Sequence, residues 1–143
     1  MRNESSLRFS SSRPVPLVLG FLAFVAPVIF SFTSASPVLA ATPAMVIKMS
    51  DKPPQFLPDK VTIKPGQTIE WVNNAKTLHS VDGDPSMALK PGDVSLPPGA
   101  KTFDSGFMRP GMTWEYTFTV PGTYKYTCVP HEKDGMNGII VVK

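Results

Sequence analysis

Residues 113–128 read Thr113-Trp114-Glu115-Tyr116-Thr117-Phe118-Thr119-Val120-Pro121-Gly122-Thr123-Tyr124-Lys125-Tyr126-Thr127-Cys128. From Trp114 to Val120 every second residue is aromatic or aliphatic. Pro121-Gly122 turns the chain into a second run, where Tyr124, Tyr126 and Cys128 alternate with polar residues. Period-two alternation broken by a Pro-Gly turn is the pattern of half-buried strands.

The pattern recurs upstream and downstream. Met45–Met49 is a first candidate strand. Lys60–Lys64 alternates Val61 and Ile63 with Thr and Lys. Pro65-Gly66 turns it into Gln67–Val72, with Ile69 and Trp71 on one face. Lys101–Asp104 reads as a short strand or edge, and Gly138–Val142 closes the chain. Residues 83–100 hold four Pro and read as a long surface connection with room for one short helical turn. Trp71 and Trp114 lie inside alternating runs and are assigned to the core. No window carries a helical stripe. The chain is expected to be all-β, a Greek-key sandwich of about eight strands.

Composition narrows the chemistry. The 143 residues include 16 Pro, 10 Gly, 7 Met, 2 His and a single Cys. One Cys excludes an internal disulfide, a Cys-pair redox motif and a Cys₄ zinc site. Two His exclude a His₃ zinc site and a multi-copper oxidase. The net charge of +3 comes largely from Arg2, Arg8 and Arg13. Residues 41–143 carry 11 Lys+Arg and 10 Asp+Glu, which leaves no electrostatic case for nucleic acid.

Residues 1–40 follow the plan of a secretory signal. A polar, basic start precedes the apolar run 15–32, and Val38 and Ala40 supply the small residues before a cut placed after Ala40. An uncleaved anchor is the alternative; this run of 18 residues, apolar apart from Ser31, lies near the short end of the roughly 17–25 needed to span a bilayer, and Pro16 and Pro27 interrupt it. The expected working unit is therefore 41–143. It is expected to be exported to a periplasm, or to a compartment such as a thylakoid lumen, with no membrane attachment after cleavage. Export makes a lone Cys an oxidation hazard unless something occupies it.

The segment Cys128-Val129-Pro130-His131-Glu132-Lys133-Asp134-Gly135-Met136 places thiolate, imidazole and thioether between two strands. The other imidazole, His79, follows the strand ending near Asn73-Asn74. Each residue alone has an ordinary explanation: a buried thiol, a core methionine, a strand-end or turn histidine. Together His79, Cys128, His131 and Met136 form the donor set of a blue-copper centre, one copper per chain. Asp82, Asp84 and Asp104 sit in turn-like contexts and read as solvated or capping acids rather than catalytic ones.

The stretch YTFTVPGTYKYTCVPHEKDGMNGIIVV resembles the C-terminal half of the small blue copper proteins, the cupredoxins, of plastocyanin and pseudoazurin type. The likeness extends upstream through PGQTIEWVNN and His79. It implies a mobile one-electron carrier with Met136 as the weak axial ligand, not an enzyme. It also implies a monomer that docks a redox donor and acceptor near His131. In plastocyanins an Asn after the first ligand ties its loop to a hydroxyl after the Cys. Here Ser80 and Val129 occupy those places, so that side-chain tie is expected to be missing, leaving the site looser or held otherwise. Pro130 has no N–H, which leaves the Ser80 amide as the expected donor to the Cys128 sulfur. Thr127 stands where photosynthetic relatives tend to carry Tyr. Glu132-Lys133-Asp134 is expected to make the docking face more polar. A copper carrier that passes on the ion, an enzyme and a metal-free interaction module remain as alternative readings.

Overall fold

A computed structural model describes residues 42–143. The leader and its cleavage site lie outside the described residues. Seven strands follow in order: β1 (Met45–Asp51), β2 (Pro54–Leu57), β3 (Lys60–Ile63), β4 (Gln67–Asn73), β5 (Thr113–Phe118), β6 (Gly122–Thr127) and β7 (Asn137–Val142). A single 3₁₀ helix, η1 (Val129–Asp134), lies between β6 and β7.

The strands form two sheets, β2-β1-β4-β5 and β3-β7-β6. The β1/β4 and β3/β7 pairs are parallel and the others antiparallel. Pro121 therefore turns the chain out of one sheet and into the other. In the Pro65-Gly66 turn, Gly66 adopts φ +86°, a conformation that costs glycine little.

Alternation sends one set of side chains inward from each sheet. Ile47, Met49, Ile69, Trp71 and Phe118 come from one, and Val61, Ile63, Tyr124, Tyr126, Ile140 and Val142 from the other. Burial of these side chains is what holds a domain of about a hundred residues together. Trp71 is fully buried and its Nε1–H donates to the Tyr126 hydroxyl at 3.2 Å, which satisfies the polar ends of both rings. Trp114 is only half-buried, packed on Trp71 with centroids 5.3 Å apart.

Two local expectations change. Lys101–Asp104 is not a strand: Asp104 makes a single bridge to Asp82, and its carboxylate turns to cap the Gly106 amide at 2.7 Å. β2 was not anticipated, because a four-residue run opening on Pro54 is too short to show a period. It is an edge strand, where a residue without an N–H is tolerated, and it contributes buried Phe56. Residues 83–100 carry turns and no helix; among the described residues the one helical element is the segment between Cys128 and Met136.

Candidate metal centre

His79 lies on the loop that leaves β4. Asn73, fully buried at the end of that strand, organises the loop. Its Nδ2 donates to the carbonyls of Thr77 (3.0 Å) and Met108 (2.8 Å), and its Oδ1 accepts from the Ala75 amide. His79 and Met108 then exchange backbone bonds at 3.2 and 2.8 Å. The histidine is thereby fixed through its own main chain.

Cys128 directly follows β6, and the residues after it curl back on it. The His131 amide donates to the Cys128 carbonyl, the Met136 amide to the His131 carbonyl, and the Cys128 amide to the Met136 carbonyl. Gly135 closes the helix with φ +82°, a left-handed cap that glycine adopts freely. This ring of backbone bonds sets Cys128, His131 and Met136 from nine consecutive residues.

The donor atoms converge. Cys128 Sγ lies 3.4 Å from His79 Nδ1 and 3.5 Å from His131 Nδ1, and the ligating atoms of these three residues all fall within 4.8 Å of one another. Bonds of about 2.3 Å to sulfur and 2.0 Å to nitrogen, at tetrahedral to trigonal angles, put sulfur and nitrogen about 3.5–3.7 Å apart. The separations thus fit a shared metal ion, and a thiolate with two imidazoles is a donor set suited to copper. His79, Cys128 and Met136 are fully buried, and His131 alone of the four is partly exposed.

Burial sets the protonation states. It lowers the pKa of His79 below its ordinary 6.5, against the opposing pull of Asp51, and so favours the neutral ring that a metal requires. It raises the Cys128 thiol above its ordinary value, with the Ser80 N–H pulling the other way. Asp51, which hydrogen-bonds to the far nitrogen of His79, is held down at about 2 by the Thr77 hydroxyl first and the Lys76 amide second.

Sulfur hydrogen bonding follows expectation: the Ser80 amide donates to Cys128 Sγ at 3.3 Å. The Val129 side chain makes no tie, as expected, and the loops are held otherwise. The Val129 backbone amide donates to Ser80 Oγ at 2.9 Å and so joins the two ligand-bearing loops. Val129 needs no polar side chain for this, because its main chain supplies the donor.

The acidic residues also need correction. Glu132 does not face a partner: it is buried, and its carboxylate accepts from the Leu89 and Lys90 amides at 2.9–3.1 Å. Lys133 and Asp134 remain exposed. Asp84 and Asp104 cap turns as expected. Asp82 caps the Asp84 amide but is buried rather than solvated, and burial raises its pKa. Asp51 and Asn73 were not singled out in the sequence, and Glu132 was expected only as a polar residue of the docking face. Each acts on a segment distant along the chain, and no short motif marks them.

A two-sheet β fold that gathers two imidazoles, a thiol and a neighbouring thioether defines the cupredoxin class. The chain belongs to the family described as copper binding proteins, plastocyanin/azurin family, which it matches over residues 43–143. It is 33% identical to the chloroplastic plastocyanin of Chlamydomonas reinhardtii, over 95% of this chain and 93% of that one. It is 34% identical to the amicyanin of Paracoccus versutus, over 78% of this chain and 76% of that one. A solved pseudoazurin from Sinorhizobium meliloti superposes with a TM-score of 0.55 at 28% identity, covering 69% of this chain and 72% of its own. Among the described residues no helix is long and apolar enough to cross a membrane.

Proposed function

We propose that this protein is an exported carrier of single electrons. One type 1 copper would be held by His79 Nδ1, Cys128 Sγ and His131 Nδ1, with the Met136 thioether as a fourth, weak donor. The observation that carries this reading is the approach of Cys128 Sγ to both imidazole Nδ1 atoms, at 3.4 and 3.5 Å. Bound copper supplies a one-electron Cu(II)/Cu(I) couple.

The chain's own residues do the rest. The sulfur and imidazoles together suit both oxidation states, since thiolate and thioether favour Cu(I) and imidazole accepts either. Backbone bonds fix the ligand loop, so little needs to rearrange when the charge changes. The Ser80 N–H draws electron density from the sulfur. Burial excludes water from His79, Cys128 and Met136.

His131 is the way in and out. It is the partly exposed ligand, and Leu78 and Phe107, 46% and 64% exposed, are apolar surface residues on the loops that carry His79 and its bridging partner Met108. A redox protein that covers His131 could take or give an electron without touching the buried ligands. Lys133 and Asp134 give that contact a polar element. Residues 1–40 act as the export signal, for a periplasm or a comparable compartment, and residues 41–143 work as a monomer without membrane attachment.

The test is spectroscopic. Loaded with Cu(II), the protein should show an intense blue thiolate-to-copper band and narrow copper hyperfine splitting, both lost in Cys128→Ala. A pale spectrum typical of nitrogen and oxygen ligands would remove Cys128 from the site and sink the electron-carrier reading. Ready loss of Cu(I) to an acceptor in place of a reversible couple would point to copper delivery instead.

A further inference from the structure

We propose that Asp51 is a positioning residue for the metal centre, whose carboxylate orients His79 from behind and biases the site toward Cu(II). The inference rests on the copper reading above and concerns what sets the potential of that site.

The register of the first sheet brings Asp51 there. β1 runs parallel to β4 with Met49 opposite Asn73, the last residue of β4. Asp51, two residues further, thus reaches over the loop that carries His79. Its carboxylate collects three groups from that loop. The Lys76 amide donates to Oδ2 at 2.7 Å, the Thr77 hydroxyl donates to Oδ1, and His79 Nε2 lies 3.1 Å from Oδ1.

Geometry assigns the tautomer. His79 Nδ1 faces the Cys128 sulfur and must offer a lone pair to a metal, so the hydrogen sits on Nε2 and is donated to the carboxylate. A neutral carbonyl in that place would orient the ring equally well. A carboxylate does more: its charge makes the imidazole a stronger donor. Added negative charge behind a ligand stabilises the more positive metal state, so it favours Cu(II) over Cu(I) and lowers the reduction potential.

The size of the effect is limited by exposure and sharing. The Asp51 side chain is 22% exposed, at the wall of an open cleft of about 450 Å³ that Lys48, Lys52 and Lys76 also line. Its Oδ1 serves Thr77 as well as His79. Loss of such an outer partner typically costs about 10–100-fold in metal affinity, and the low end applies here.

The experiment compares the copper-loaded protein with Asp51→Asn, which keeps an oxygen acceptor and the shape but removes the charge. Reduction potential is measured by voltammetry, and the Cu(II) and Cu(I) affinities by competition with chelators. Thermal unfolding of the metal-free forms serves as the control. The expected result is a ratio of Cu(II) to Cu(I) affinity lowered about tenfold, equivalent to a potential about 59 mV higher for a one-electron couple, with the blue band retained. An unchanged potential, with or without lower stability of the metal-free form, would overturn the proposal and leave Asp51 as a loop anchor.

Thr77→Val provides an independent arm should Asp51→Asn fail to fold. It leaves Oδ1 to His79 alone and is expected to move the potential the other way, downward; no movement or a rise would overturn the proposal. A wild-type protein without the blue band would instead bring down the copper reading itself. A blue wild-type with an unshifted Asp51→Asn would bring down this inference alone.

Discussion

The side-chain oxygen of Ser80 accepts the backbone N–H of Val129 at 2.9 Å, while the Ser80 N–H points to the Cys128 sulfur at 3.3 Å. One residue therefore fastens the loop of His79 to the loop of Cys128, His131 and Met136, and hydrogen-bonds the sulfur as well. The two contacts can be separated. Ser80→Ala keeps the N–H to sulfur and leaves the Val129 amide, part of a half-buried residue, without its partner. An unmade bond of this kind costs about 1–3 kcal/mol. The metal-free protein should lose stability at the low end of that range in denaturant titrations, while the blue band of the loaded protein persists.

Copper uptake should release protons in a defined way. The folded, metal-free protein keeps Cys128 as a thiol, because burial raises its pKa, and keeps His79 neutral, because burial lowers its pKa. Binding at pH 7.5 should then release about one proton, supplied by the thiol, and affinity should rise with pH. The same shift acts on folding. A group whose folded pKa is raised contributes stability that is complete below the unfolded value, here 9.0, and lost as pH rises through the folded one. The metal-free protein should therefore lose stability in the alkaline range, and Cys128→Ala should remove that loss. Potentiometric titration during copper addition, with thermal melts from pH 7 to 10, checks both.

Glu132 joins the long connection at Leu89-Lys90 to the ligand loop through three charge-assisted contacts. Glu132→Gln keeps the shape, removes the charge and turns an amide N–H₂ toward backbone donors. Bonds to a charged acceptor are worth about 1.5–3 kcal/mol, so the variant should be destabilised by that order. Hydrogen exchange should locate the damage, with the Leu89 and Lys90 amides exchanging faster than those of β4 or β7.

Gly138 faces Tyr126 across the β6/β7 ladder. A Cβ at that position would fall inside the ring and hydroxyl of Tyr126, which is fully buried and holds the Trp71 indole. Nothing there can give way cheaply. Gly138→Ala should cost about 1–3 kcal/mol or more by overpacking, read as a lower melting temperature and a changed tryptophan fluorescence. Gly66→Ala, at a site with open space, would meet only the backbone cost of its positive φ.

The strands were legible where a buried aromatic or branched residue recurs at every second place, as at Ile69 and Trp71 or Tyr124 and Tyr126. Alternation is a local consequence of the pleat and survives in the sequence. It failed at Pro54–Leu57, which is too short to show a period. It also failed at Lys101–Asp104, where Phe103 is buried but Asp104 turns the backbone to cap Gly106. Three of the four candidate ligands were legible because one short loop carries them, and His79 because the chain has only two histidines.

What the sequence determined by itself is what short segments can encode: an all-β chain, the Cys128-x₂-His131-x₄-Met136 loop, and the soft donor set that selects copper. What tertiary structure decided is everything that joins segments far apart. Asp51 reaches His79 only through the parallel β1/β4 ladder. Glu132 beside a ligand reads as a surface charge until Leu89 and Lys90, more than forty residues earlier, bring their amides to it. Ser80 finds its partner in the Val129 main chain, a donor that every residue but proline carries and that no side-chain pattern can announce.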